Sequence, residues 1–360
     1  MDGSLKEEQI LMSSERDWTD LPPNLIHLIS QKLPDLRYFI RCGAVCKRWF
    51  SSILLSDPPP QQLPWLIEYD EQFPRASPLK EELPFYSFVT GETGSIPIQE
   101  SHRGKVYHRT GHSYLLVIDG EVISLFNPLT NEEISLPQLP SRFDFIWPVF
   151  GGADPSRNWP WHISLVCDVG RSRYLTYYLD RMRWQCFDTV LHKTCNWDGM
   201  LFTTEDHGTS TLVFDAASRK ELYTIPPLNE ETFGFITSYF VESCGELLRV
   251  SLDYNLTRNI ETYIFLIYKL NFEGGKGQPH WVKVSNIRDQ IIFLDHLTGF
   301  AVRATAGLKG NCIYFFIEEH CRSDRFYNDS TLWRYDIATG TCEPVPCPFN
   351  RCSWFVPNLR

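Results

Sequence analysis

The 360-residue sequence is 43% hydrophobic and 14% aromatic, with 45 glycines and prolines and a formal net charge of −10. That is enough chain for two domains and a sizeable core, with a lean toward strands and frequent turns. The acidic balance, with no long Lys/Arg run, argues against a nucleic-acid binder, which needs a phosphate-attracting field. The longest apolar runs, YIFLIY (263–268) and IYFFI (313–317), are of strand length. Each is far short of the ~20 residues a membrane helix requires. The residues before Trp18 are charged and lack the apolar core of a signal peptide. Eleven cysteines, none in a C-x-x-C pair, then fit free thiols in a reducing cytoplasmic or nuclear setting. On that expectation the N-x-[ST] matches at Asn255 and Asn328 are chance.

From Trp18 to Ser52 the pattern predicts three short helices. In DWTDLPPNLIHLISQKLP, Asp20 is a candidate cap, and Pro22 and Pro23 stand just inside a helix start. Leu21, Leu25, Ile29 and Leu33 recur every four residues and define one apolar face. Pro34 ends the helix, because proline disfavours helical backbone in the residue before it. A second helix is expected from near Asp35, with Leu36, Phe39 and Ile40 on one side and Gly43 as its break. The third carries Val45, Trp49 and Ile53 at four-residue spacing. Helices of about ten residues are marginal alone in water, so this head needs a partner, or the rest of the chain, to cover its apolar faces.

The stretch LPPNLIHLISQKLPDLRYFIRCGAVCKRWFSSI (21–53) resembles an F-box. That pattern opens a helix with Leu-Pro, continues with spaced Leu/Ile and ends on Val-Cys-(Lys)-(Arg)-Trp. Leu21, Pro22, Leu25, Ile29, Leu33, Val45, Cys46, Arg48 and Trp49 match it in order. The resemblance implies a small all-α domain over residues 17–56 that docks on a Skp-type adaptor and through it a cullin. Leu21, Pro22, Leu25, Ile29, Leu33, Val45, Cys46 and Trp49 would form the adaptor contact or its immediate support.

A Pro-rich linker is expected at 57–62, in SDPPPQQLP. Beyond it, over 63–358, short apolar runs alternate with turns. VISLFNPLTNEEISLP (122–137) predicts strand, turn, strand, with Asn and Pro placed for chain reversal. TLVFDAASRKELYTIPP (211–227), TLWRYDIATGTCEPVP (331–346) and FYSFVTGETGSIPI (85–98) repeat that shape, and runs starting at Tyr174 and Tyr263 are looser copies. With Tyr86, Phe126, Tyr178, Phe214, Tyr268 and Tyr335 as anchors, successive gaps of 36 to 67 residues average about 50, near the period of propeller blades. The fold class expected is therefore an all-β propeller of six or seven blades, with a β-sandwich pair or barrel array as the rival. Ring closure would remove exposed sheet edges. The candidates for the closing strand are LPWLIEY (63–69) and RCSWFVPNL (351–359).

LFNPLTNEEISLP, YFVESCGELLRV (239–250), NCIYFF and LWRYDIATG are similar to the plant F-box-associated β-propeller family, also called domain of unknown function 295, KIB-type and kelch-like. RTGHSYLLV departs from that family's usual Gly-Trp-type strand. The resemblance implies an architecture and a place in ubiquitin ligation, and no ligand.

Several clusters carry residue types that could serve as chemical sites. Cys46 beside Lys47 and Arg48 has the cations that activate a thiol but no neighbouring base, and a small packing residue is the simpler assignment. His102, His108 and His112 would suit a metal only if 108 and 112 shared a helix face, whereas Gly104 and Gly111 argue for loop and strand. Cys342, Cys347 and Cys352 are spaced too widely for the usual zinc pairs. EGGKGQ (273–278) lacks the phosphate-loop frame, and the pairs Glu132–Glu133 and Glu318–Glu319 fall where solvated turns are expected. Trp147, Trp159 and Trp161 lie in a predicted Pro/Gly-rich loop region and serve equally as target-binding anchors or as core closure.

The combined reading is a non-catalytic substrate-recognition subunit of an SCF-type ubiquitin ligase. Its expected partners are a Skp-type adaptor, a cullin and a target protein, with no nucleic acid, membrane, metal or other cofactor. A protein-interaction scaffold and a propeller hydrolase are the alternatives.

Overall fold

The computed structural model describes residues 18–33, 35–53, 63–68, 76–110, 113–120, 122–138, 145–152, 161–168, 174–180, 183–187, 192–204, 210–216, 218, 220–226, 235–257, 260–273, 277–295, 298–305, 308–318 and 330–358. The chain divides into two compact units, 1–62 and 63–360. The expected linker at 57–62 lies outside the described residues.

The first unit holds a 3-10 turn, Trp18–Asp20, and three helices: α1 (Pro23–Ser30), α2 (Leu36–Gly43) and α3 (Lys47–Ser52). Pro23 begins α1, where a missing N–H is no loss. Asp35 caps α2, its carboxylate accepting from the Arg37 backbone N–H at 2.8 Å. Gly43 is the last residue of α2.

The second unit is a β-propeller. Each of the six predicted hairpins is present, and each anchor residue sits on the first strand of its hairpin: Tyr86, Phe126, Tyr178, Phe214, Tyr268 and Tyr335. The turn chemistry explains why the sequence signal repeats. In three of these hairpins the N–H of Gly91, Asn131 or Gly340 donates to the carbonyl four residues back, on Ser87, Asn127 or Asp336. Gly91, Asn131 and Gly340 all have φ between 59° and 69°, the left-handed region that favours Gly and Asn. The side chains of Asn127 and Asp336 also cap their own turns, accepting from Leu129 N at 2.9 Å and Ala338 N at 3.0 Å.

The expectation of six or seven blades is corrected to five. Five sheets are each built on one consecutive run of strands, spanning 106–136, 145–187, 192–225, 235–284 and 290–344. The short strand Ala76–Pro78 adds to the edge of the first blade. The last blade has five strands, with Gln290–Leu294 running parallel to Cys312–Glu318. The remaining sheet draws on both chain ends, in the order Cys352–Phe355, Trp65–Glu68, Glu82–Ser87, Glu92–Pro97. Repeat spacing counted one hairpin per blade. The hairpin at Tyr86, however, has a single strand of its own before it in that sheet and borrows the fourth from the C-terminal end. The two candidate closing strands thus pair with one another, with Leu66 opposite Trp354 and Glu68 opposite Cys352.

This closing sheet joins the last blade to the first. Leu66, Cys352 and Trp354 share a buried core with Ile291, Phe293 and Tyr314, and the Trp354 indole N–H donates to the Leu294 carbonyl at 2.8 Å. On the other side, the Asn127 side-chain amide donates to the Asn358 carbonyl at 3.1 Å. Within the sheet, Trp65 stacks on Phe85 at 4.1 Å. Gly94, opposite Phe85, leaves room for that ring: a Cβ there would lie 2.6 Å from it.

Trp354→Ala removes a side chain that is 1% exposed, together with its cross-sheet hydrogen bond. It is expected to cost about 3–5 kcal/mol, read as a lowered midpoint in denaturant unfolding of the full chain.

Candidate docking site on the helical head

The head has a small core of its own: Ile26, Leu36, Phe39, Cys42 and Ile53, with Ser30 buried among them. The Ser30 hydroxyl is satisfied by the His27 carbonyl at 2.8 Å. Residues Ile26 and Ser30 stand one turn apart on α1 and therefore share a face, while Leu25 and Ile29 lie about 100° around the helix from them. That second face is left uncovered. Leu25 and Ile29 are each 42% exposed and Leu28 is 55% exposed. The four-residue pattern of Leu and Ile thus marks an outward-facing apolar surface beside the core, and the core residue Ile26 falls outside it.

Of the other predicted contact residues, Leu21 and Leu33 are half-buried and Pro22 is exposed. Val45 is exposed and precedes α3, so it does not share a helix face with Trp49. Cys46 is the N-cap residue of α3, in extended backbone, with no side-chain cap bond. Trp49 is half-buried, and its indole N–H donates to the Trp18 carbonyl at 3.2 Å. Asp20 does not cap α1, since Pro22 occupies the N-cap position. It instead pairs with Arg48 at 3.1 Å across an exposed gap. An isolated exposed pair contributes little, about 0–1 kcal/mol. Together the Trp49 and Asp20 contacts hold the 3-10 turn onto α3. Three further exposed apolar residues, Trp18, Ile40 and Phe50, were not among the predicted contacts. Ile40, placed by the sequence on one side with Leu36 and Phe39, is exposed while those two are buried. The Phe50 signal was legible as an aromatic one residue beyond the matched Trp49.

The other candidate sites come apart. Trp147 and Trp161 stand on paired strands of the second blade, opposite Val166 and Gly152, so both belong to strands where a long loop was expected. Trp159 lies outside the described residues. His102 sits in a 3-10 turn and stacks on Phe126 at 3.9 Å, with its Nε2 3.3 Å from Glu133. His108 is on a strand of the first blade, and His112 lies outside the described residues. Among the described residues no group of three or more His, Cys, Asp or Glu is placed to hold a metal ion. Glu133 also accepts from the Ser124 hydroxyl at 2.6 Å. That bond first, then the nearby His102 and Lys105, holds its carboxyl below the usual carboxylate range. Glu132 accepts from the Tyr114 hydroxyl at 2.7 Å. These two carboxylates brace the first blade.

Burial pushes the thiols of Cys42, Cys312 and Cys342 up, and that of Cys195 to about 12. Cys342 packs in the core between the fourth and fifth blades. The other two evenly spaced thiols meet: Cys347 Sγ lies 3.4 Å from Cys352 Sγ. A hydrogen bond from Cys352 draws the Cys347 thiol down to about 7.

Residues 85–338 match the KIB1-4 beta-propeller family. The chain belongs to that family. The matched stretch runs from the hairpin of the closing sheet to the turn that follows Asp336, and so takes in the first four blades of this KIB1-4 propeller and all but the last strand of the fifth. Over its whole length the chain is 25% identical to a "Putative F-box protein" of Arabidopsis thaliana, covering 100% of both sequences. It is 24% identical to each of two proteins of the same plant named as F-box proteins, covering 96% and 91% of this chain and 98% and 90% of theirs.

Two outcomes follow from these contacts. Asp35→Ala is expected to cost about 1 kcal/mol and to appear as faster amide hydrogen exchange in α2, whereas Asp20→Ala leaves that exchange unchanged. For Glu133 the folded-state pKa is depressed, so its contribution is present above the ordinary carboxylate pKa and is lost as pH falls through the folded value. Glu133→Gln is accordingly expected to lower the thermal midpoint at pH 7 and to flatten its decline under acid, in melts recorded across pH.

Proposed function

We propose that this KIB1-4 propeller protein is the substrate-recognition subunit of an SCF-type ubiquitin ligase. Its helical head docks on a Skp-type adaptor, and its propeller presents a target protein. The observation that carries the reading is the apolar surface of the head: Leu25, Leu28, Ile29, Val45 and Phe50 are exposed on a unit whose described residues bury five apolar side chains. Monomeric proteins seldom leave apolar residues clustered on so small a unit unless a partner covers them. The F-box names of the relatives matched along the whole chain support the same assignment. So does the order of Leu21, Pro22, Leu25, Ile29, Leu33, Val45, Cys46 and Trp49 in the sequence.

In this role the chain does no bond chemistry. It holds a target near the ubiquitin-carrying enzyme, and proximity converts an encounter between separate molecules into a reaction within one assembly. The thiols raised by burial suit packing residues, because a nucleophilic cysteine needs a lowered pKa and an adjacent base. Target recognition falls to the propeller, where loops joining rigid strands carry binding residues on a fixed scaffold.

Leu28→Glu places a charge on an exposed position and leaves the core of the head intact, so loss of binding cannot be laid to unfolding. It is expected to abolish co-purification with the adaptor and cullin. Leu25→Ala weakens the complex, and Trp49→Ala costs on the order of 2 kcal/mol or more, partly by releasing the Trp18 segment. Adaptor binding by all three variants at wild-type strength would overturn the assignment and favour a scaffold that works without a ligase.

A further inference from the structure

The pair Cys347 and Cys352 belongs to the core that joins the closing sheet to the last blade, and the docking surface does not use it. Cys352 is the first residue of the closing strand, opposite Glu68, and is fully buried. Cys347 is partly exposed, in the segment between the last blade and that strand, and packs on the same core as Trp354. The sulfurs are 3.4 Å apart, within contact but unbonded, with one thiol donating to the other. Four residues separate them in sequence, in CPFNRC. The two side chains therefore already face one another, and bonding needs an approach of only about 1.4 Å to reach a disulfide's length.

We propose that Cys347 and Cys352 are a peroxide-sensitive dithiol whose disulfide staples the closing strand to the end of the last blade. Cys347 is the attacking sulfur, because it is the one reached from solvent. It is also the better nucleophile: the hydrogen bond from Cys352 draws its thiol to about 7 and so maintains thiolate at neutral pH. The chemistry is a two-step oxidation by hydrogen peroxide. The Cys347 thiolate attacks one peroxide oxygen, the O–O bond breaks, and hydroxide leaves, giving the sulfenic acid. The Cys352 sulfur then attacks the Cys347 sulfur, water departs with the Cys352 proton and the sulfenic oxygen, and the S–S bond forms. Two electrons pass from the thiols to the peroxide, and a dithiol reductant reverses the change. The other described thiols stand in other settings: Cys42, Cys195 and Cys312 are buried, Cys46 is half-buried at the start of α3, Cys342 packs in another core, and Cys244 is exposed.

The sequence supplies a clean readout, since Arg351 lies between the two cysteines. Tryptic cleavage after Arg351 separates Cys347, in the peptide 335–351, from Cys352, in the peptide 352–360. Full-length reduced protein would be treated with hydrogen peroxide, blocked with iodoacetamide, digested without reductant and analysed by mass spectrometry. The expected result is a disulfide-linked pair of these two peptides that disappears on adding dithiothreitol. It persists in Cys342→Ser, which removes the other thiol of the first peptide, and is lost in both Cys347→Ser and Cys352→Ser. The oxidised wild-type protein is further expected to melt higher than the reduced form, by roughly 1–4 °C, with no such shift in Cys347→Ser. Absence of the linked pair in folded wild-type protein, or a linked pair that survives in Cys347→Ser and is lost in Cys342→Ser, would overturn the proposal. So would a linked pair that leaves the melting temperature unchanged, because the bond would then not staple the closing strand.

Discussion

The pairing of Trp65–Glu68 with Cys352–Phe355 brings together stretches that lie almost three hundred residues apart in the sequence. A row of sheets joined only to their neighbours has two free edges, and free edges expose unpaired backbone groups that recruit other chains. Here one sheet takes strands from both ends, so the first and last blades are bound to the same structure. Trp354 completes the join twice, by burying its ring among Ile291, Phe293 and Tyr314 and by donating to Leu294. The contacts of the last blade and the register of the first hairpin all refer back to that sheet. A dithiol at the start of its final strand is therefore well placed to affect the stability of the whole propeller.

The head follows a different economy. Three helices of six to eight residues can bury only a handful of side chains, and here these are Ile26, Leu36, Phe39, Cys42 and Ile53. Helices so short gain little from propensity and depend on packing. Leu25, Leu28 and Ile29 remain exposed on α1, and Phe50 on α3. Small size and exposed apolar residues are what the proposed docking role rests on, since a partner would supply the burial that the described residues of the unit lack. Capping by Asp35 and the bond from Trp49 to Trp18 set the shape of that surface.

Turn chemistry made much of the propeller legible. Asn127 and Asp336 cap their own turns, and Gly91, Asn131 and Gly340 adopt the left-handed backbone that closes them. These requirements are local and fall at a fixed offset from an aromatic strand residue in the hairpins of Tyr86, Phe126 and Tyr335, which is why those three read so alike in the sequence. The number of blades was a different kind of question. It depends on which strands pair across the chain, and hydrogen bonds between distant strands leave no spacing signal along the sequence.

The docking residues divide along the same line. Sequence alone determined three short helices, a β-rich body and the order of apolar residues in the head, because periodicity, capping and turn preferences act within a few residues. Tertiary structure alone decided that Ile26 and Ser30 turn inward while Leu25 and Ile29 turn outward, that Asp20 serves Arg48 in place of α1, and that Trp147 and Trp161 are strand residues. It also decided that of three evenly spaced cysteines two meet and one does not. Each of these outcomes depends on what a side chain finds across a gap in space, and the linear order of residues does not record that distance.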